Sequence, residues 1–251
     1  MKIVVYGASG RVGSAFERHV SPDHDLLLVD REVSEDAGAR FVAGDVRDPA
    51  MFHETLVGAD ASVYLPFALY EIDPDRCDAK FGASFDVNAR GVYYWLAAAR
   101  KHGVGRLVFT SSLSVYGAVM SDGLTSQTPA YPEDVYGLTK MFAEDTCRYF
   151  VRKHTMNLVV LRLCSVHTPE SWMSSDKALP RRPGNRARAS KIGSRTHVDD
   201  VAEAIRLALV RPLHGFNLFH IFGEAGVRDW PTDAAREQLG FTPNYPTFGK
   251  A

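Results

Sequence analysis

The sequence predicts an α/β protein with a doubly wound parallel sheet and a small C-terminal substrate-binding cap, on three observations. Short apolar runs alternate with longer helical patterns over the first two-thirds of the chain. Those runs are near-continuously apolar, as strands covered on both faces must be. A glycine-rich turn directly follows the first of them.

The strands are expected at Lys2–Tyr6, Asp25–Asp30, Ala39–Ala43, Ala61–Pro66, Arg106–Thr110 and Leu158–Leu163. Helices are expected at Val12–His19, Pro49–Leu56, Ser84–His102 and Val135–Lys153. A later helix, Asp199–Leu209, shows an apolar stripe through Val198, Val201, Ala202, Ile205, Ala208 and Leu209 at helical spacing. Between the sixth strand and that helix, Lys177–Arg195 carries seven Lys or Arg and no acid, among Pro180, Pro183, Gly184 and Gly193. It reads as an irregular excursion. Residues 1–165 are expected to form the dinucleotide-binding domain, and 166–251 a substrate-binding region interleaved with it.

Totals exclude several function classes. With 29 basic and 30 acidic residues and a net charge of -1, the chain offers no electrostatic case for nucleic acid or an anionic membrane. Its three cysteines, Cys77, Cys147 and Cys164, form no metal-ligand spacing, so no metal is expected. The first apolar run is too short for a signal peptide, and no run is long enough for a membrane helix. The expectation is a soluble cytoplasmic protein.

Gly7-Ala8-Ser9-Gly10-Arg11-Val12-Gly13 lies between the first strand and the first helix. Such a turn lets backbone approach a pyrophosphate, and a helix N-terminus offers unpaired N–H groups with a partial positive charge. Asp30 closes the second strand, where an acid accepts hydrogen bonds from adenosine ribose hydroxyls. Asp45 and Val46, after the third strand, suit contacts with adenine. Strand, turn, helix and acid in this register specify a Rossmann-like site. A carboxylate at position 30 favours NAD over NADP by repelling the extra phosphate, whereas Arg31 could pair with that phosphate.

Tyr136-Gly137-Leu138-Thr139-Lys140 places a phenol and an ammonium on one helix face, four residues apart. A free tyrosine has a pKa of about 10. A nearby ammonium and the positive nicotinamide ring are expected to lower it. Upstream, the fifth strand runs into Thr110-Ser111-Ser112-Leu113-Ser114-Val115-Tyr116-Gly117, putting hydroxyls at a carboxyl strand end, where open α/β sheets bind ligands.

These strings, together with Asn88-Ala89-Arg90-Gly91 and Arg195-Thr196-His197-Val198-Asp199-Asp200-Val201-Ala202, resemble the extended short-chain dehydrogenases. That family includes NAD-dependent sugar epimerases, dehydratases and dehydrogenases. The resemblance runs from residue 1 to about 210. It implies Tyr136 as acid/base, Lys140 as nicotinamide-ribose ligand and Ser112 as substrate-orienting hydroxyl, with Ser114 beside it. Asn88 would anchor the site, or bond only to backbone. His197 reads as a packing or capping residue, and Asp199 as an N-cap or first-turn acid.

Two segments are similar to uronate dehydrogenases: Arg162-Leu163-Cys164-Ser165 running to Pro169-Glu170, and Trp230…Asp233…Leu239-Gly240-Phe241-Thr242-Pro243. This implies that Arg162 clamps a substrate carboxylate, with Ser165 nearby, since a planar guanidinium fork matches that group; the same fork could instead pair with an internal acid or backbone. Those enzymes carry Asn-His after the paired serines, where this chain has Leu113-Ser114. At the end of the fourth strand, Pro66 and Phe67 stand where the family has small residues, and are expected to narrow the pocket. The short stretch after the sixth strand favours a small substrate.

The leading reading is an NAD-dependent oxidoreductase on a small sugar-like substrate, a uronate included. The alternatives are a nucleotide-sugar epimerase or dehydratase with tightly bound NAD, and a non-catalytic dinucleotide sensor. The resemblance also implies a homodimer through the two long helices, with Tyr94 and Phe150 at the contact.

Overall fold

The computed structural model describes residues 1–20, 23–33, 40–69, 80–117, 124–125, 127–174, 195–223 and 232–245. The basic stretch 177–194, Cys77 and Trp230 lie outside them.

Six strands, β1 (Lys2–Tyr6), β2 (Asp25–Asp30), β3 (Phe41–Ala43), β4 (Ala61–Tyr64), β5 (Arg106–Ser112) and β6 (Leu158–Leu163), build most of one parallel sheet. Two three-residue strands, β7 (Ser165–His167) and β8 (Arg195–His197), form a separate parallel ribbon. The last strand, β9 (Phe216–Ile221), completes the main sheet beside β6. The sheet order is β3-β2-β1-β4-β5-β6-β9, so the winding direction reverses between β1 and β4. In such sheets the crevice outside that reversal holds the ligand.

Alternation along each strand sends side chains to opposite faces. Ile3 and Val5 enter one core with Phe16 of α1 (Arg11–Val20) and Val201 and Ile205 of α7 (Val198–Val210). Val4 and Tyr6 enter the other, with Phe52 of α2 (Pro49–Thr55), Trp95 and Leu96 of α4 (Gly91–Lys101) and Phe150 of α5 (Val135–His154). The helix expected at 84–102 begins earlier and is not uniform. Its first part is α3 (Lys80–Phe85), a wider π-helical turn covers Asp86–Arg90, and α4 follows. A short α6 (Pro169–Ser174) follows β7.

Three strand ends differ from expectation, the first being the start of β3 at Phe41 rather than Ala39. β4 stops at Tyr64 rather than Pro66, because a proline has no N–H for the ladder. β5 continues two residues past Thr110, so Ser112 ends the strand itself. Phe150 is buried in the core, and Tyr94 is partly buried. The aromatic residues that α4 and α5 present to solvent are Tyr93, Phe142 and Tyr149 instead. Among the described residues no helix is long and apolar enough to cross a membrane.

Candidate active site

The glycine turn stands at the carboxyl end of β1. Gly7 has φ +79, a conformation that L side chains rarely adopt, and Pro66 presses against it from the β4 end. A Cβ on Gly13 would collide with the Ala8 and Gly7 carbonyls, so α1 packs flush against the loop. At Gly10 the added carbon would meet only the Gly7 carbonyl, at 3.3 Å, which leaves that backbone open to an approaching group. Ser9, Gly10 and Arg11 are exposed and Val12 partly so, at a helix start whose first N–H groups have no intrahelical acceptor.

Asp30 meets this loop from β2. Its Oδ2 accepts from the Ser9 backbone N–H at 2.9 Å, and its Oδ1 from that of Arg31 at 2.7 Å. A carboxylate has about four acceptor positions, so one bond on each oxygen leaves room for ribose hydroxyls. The donor set therefore fits a dinucleotide. Asp45 is held by Arg47, which donates from its backbone N–H and its guanidinium. That pairing keeps the Asp45 carboxyl below its ordinary range. Val46 beside it is buried in the core.

Across the crevice, α5 begins at the N-cap Asp134, whose carboxylate accepts from the Gly137 N–H at 2.6 Å. Gly137 is required here. A Cβ on it would lie 2.3 Å from the Ser114 carbonyl, so its absence lets α5 close onto the turn after β5. The approach brings Tyr136 beside Ser112, whose hydroxyl favours the phenolate. Ser112 Oγ also bonds the Ser114 hydroxyl and accepts from the Ser114 N–H, both at 3.1 Å. Phe67, 61% exposed, meets the Tyr136 ring edge-on at 6.2 Å.

Lys140 is fully buried; its Nζ donates to the Thr110 carbonyl at 2.9 Å and lies 5.8 Å from the Tyr136 ring centre. Burial pushes the ammonium down to about 7. The phenol moves opposite to the sequence expectation. Burial raises Tyr136 to about 12, and the Ser112 hydrogen bond offsets only part of that rise. Removing water from around a phenolate outweighs the help of one hydroxyl.

Three expected site residues have internal partners. Asn88, buried in the π-helical turn, exchanges bonds with the Ala68 backbone at 2.8 and 2.9 Å and donates to Thr139 Oγ1 at 3.0 Å. It ties the loop after β4 to α5. Arg162, 2% exposed, donates bidentately to Glu144 and also to the Tyr116 hydroxyl, which is the internal pairing the sequence left open beside the substrate clamp. Ser165 is exposed on β7, its hydroxyl 3.2 Å from His167 Nε2. His197 caps α7 through its Nδ1 and stacks on Tyr245 at 3.6 Å. Among the described residues no group of three His, Cys, Asp or Glu could hold a metal.

The family model of the NAD dependent epimerase/dehydratase family matches residues 3–219. A UDP-glucose 4-epimerase of Lactobacillus helveticus is 28% identical over 66% of this chain, which spans about half (52%) of that relative's length. A uronate dehydrogenase of Pseudomonas putida is 26% identical over 70% of this chain and 67% of its own. A short-chain dehydrogenase/reductase superfamily protein from Agrobacterium tumefaciens, solved with bound NAD, superposes with a TM-score of 0.81. It is 22% identical, covering 98% of this chain and 94% of its own, and shows the shared fold. The family model spans both the glycine turn and the Tyr136–Lys140 helix, and the chain belongs to the NAD dependent epimerase/dehydratase family, the extended short-chain dehydrogenases whose cofactor is NAD.

Proposed function

We propose that this chain is an NAD-dependent oxidoreductase acting on a small sugar-like substrate, with Ser112, Tyr136 and Lys140 as its catalytic residues. The observation that carries this reading is the clustering of the Tyr136 phenol with the Ser112 hydroxyl and with the buried Lys140 ammonium, 5.8 Å from the Tyr136 ring centre. Ser112 ends β5 at its carboxyl end, where open α/β sheets bind ligands.

When bound, NAD supplies the hydride acceptor. Gly7, Ser9, Gly10, Arg11, Val12 and Gly13 cradle its pyrophosphate, Asp30 holds the adenosine ribose, and Asp45 and Val46 flank the adenine. Tyr136 holds and moves the substrate hydroxyl proton, which Ser112 orients. The phenol needs a cation beside it, because burial alone favours its neutral form. Lys140 supplies one and spends one donor on Thr110, which leaves capacity for the nicotinamide ribose. Asn88 acts from behind, by fixing the loop that carries Phe67.

Ser114 and Ser165 add neutral donors for substrate hydroxyls, and residues 166–251 provide the cover on that side. The uronate dehydrogenase relative supports a sugar acid. The engagement of Arg162 by Glu144 favours a neutral sugar-like alcohol instead. We also propose a homodimer formed through α4 and α5, supported by the exposed Tyr93, Phe142 and Tyr149.

Purified protein incubated with NAD and a panel of aldoses, uronates and UDP-sugars tests this. NADH absorbance growing with an aldose or uronate is the expected result. A second reading, epimerase or dehydratase, is favoured by the UDP-glucose 4-epimerase relative. It predicts a new sugar on product chromatography with no net NADH, and that outcome would replace the first reading.

A further inference from the structure

A polar row crosses the sheet behind the proposed catalytic lysine. Ser111 of β5, Arg162 of β6 and His220 of β9 stand side by side at one register. All three are buried, and Arg162 is the one charged residue in β6. Glu144, fully buried on α5, closes the row from the helix side. Its Oε1 accepts from Ser111 Oγ at 2.6 Å and from Arg162 Nε at 2.9 Å. Its Oε2 accepts from Arg162 Nη2 at 2.6 Å, with Arg148 of α5 at 3.7 Å. Arg162 Nη1 donates to the Tyr116 hydroxyl. That hydroxyl in turn bonds His220 Nε2 at 2.9 Å and the Thr125 carbonyl at 2.8 Å.

Stability does not account for this arrangement. A buried ion pair costs so much desolvation that apolar residues of similar volume often replace it without loss. What the pair does have is a place. Glu144 lies four residues after Lys140, on the same face of α5. The groups packed around the Lys140 ammonium come from four directions. α5 contributes Tyr136, Glu144 and Cys147. β5 contributes the Thr110 carbonyl and the Phe109 ring, 4.8 Å from Nζ. Arg162 of β6 and His220 of β9 lie beyond Glu144, with Tyr116 from the turn after β5. Among these described groups Glu144 is the one carboxylate.

We propose that Glu144, locked in place by Arg162 and Ser111, is a positioning residue that keeps the Lys140 ammonium charged in its buried seat. The role rests on the catalytic assignment of Lys140 made above. The Thr110 carbonyl orients the ammonium but brings no net charge to offset its lost hydration. Glu144 brings that charge, and its influence opposes the downward push of burial. Arg162 donates to both carboxylate oxygens, so the carboxylate cannot swing away. The arginine thus acts on the protein's own machinery, two contacts removed from any substrate.

The test is a pH titration of Lys140 in the protein without NAD, by NMR of selectively labelled lysine, with the signal assigned through its loss in Lys140→Met. Glu144→Gln should lower the Lys140 midpoint by about one pH unit or more, a tenfold change in the ammonium-to-amine ratio. Glu144→Asp should recover part of it. Since Glu144→Gln strands a buried guanidinium, the double variant Glu144→Gln/Arg162→Met is titrated alongside, with circular dichroism to verify folding. A folded double variant titrating at the wild-type midpoint would overturn the proposal. In the active enzyme the same variants should move the alkaline limb of kcat/KM to lower pH, whereas a merely structural defect lowers the rate evenly across pH. Absence of turnover on every substrate would sink the catalytic reading yet leave the NMR shift intact.

Discussion

Lys140 donates to the carbonyl of Thr110 at 2.9 Å, a neutral acceptor inside the core. The seat makes stability depend on pH. The folded pKa is about 7, while an unfolded lysine titrates at about 10.4. Between those values the unfolded chain binds the extra proton, so this group's contribution rises with pH across the window and is lost as pH falls through about 7. Lys140→Met should therefore unfold at higher urea than wild type at about pH 6, with the gap closing by about pH 10. Equal midpoints for the two proteins at low pH would contradict the buried charge.

Tyr136→Phe keeps the ring's packing and removes the proton-transfer group. Turnover should fall by about 10²–10⁴, the usual worth of general acid–base catalysis, with NAD affinity nearly unchanged. Ser112→Ala should also cost turnover without touching the cofactor. Tyr116→Phe behaves differently, because Tyr116 supports the buried Arg162. It should lose about 1–3 kcal/mol of stability by unpairing that donor. Wild-type turnover in Tyr136→Phe would end the proposed mechanism.

Asp30 should make NAD bind at least about tenfold more tightly than NADP, a difference of about 1.4 kcal/mol. Because its oxygens also hold the Ser9 and Arg31 backbone, Asp30→Ala should weaken NAD as well as relax the preference. Calorimetric titration measures both. Tighter NADP binding by the wild type would refute the assignment.

The dimer face is tested at Tyr93 and Tyr149, which are 51% and 45% exposed. Replacing both with Glu should give a monomer mass in light scattering, with the fold retained. A wild-type monomer at micromolar concentration would remove the premise.

Thr155 ends α5 with φ 53, the left-handed region that a β-branched residue enters only with strain. Thr155→Asn should gain about 1 kcal/mol in denaturant unfolding. A loss would show that the threonine side chain has a compensating role.

Much of this was legible from the chain. β1, β2 and β6 are mainly apolar runs, and their limits match the expected ones. β9 escaped because Asn217 and His220 interrupt its pattern, and β7, α6 and β8 are too short to show periodicity. The capping reading of His197 was available from its place before an acidic first turn. Burial was not readable at Tyr136, which is why its shift came out in the opposite direction. The Glu144–Arg162 pair did leave a signal: a lone charge inside the apolar run Leu158–Leu163 demands a buried partner. Glu144, on the Lys140 face of the preceding long helix, was the available acid.

The π-helical turn at Asp86–Arg90 has a consequence for the whole segment from Lys80 to Lys101. One extra residue in a turn advances everything before it by about 100° around the axis relative to an unbroken helix. The two halves are therefore out of phase, and Asn88 sits at the slip between them. Deleting a single residue there would regularise the helix and rotate α3 away from α5, detaching Asn88 from Ala68 and Thr139. Length in this stretch is thus as constrained as sequence, and a chain that tolerates insertions in its loops should tolerate none here.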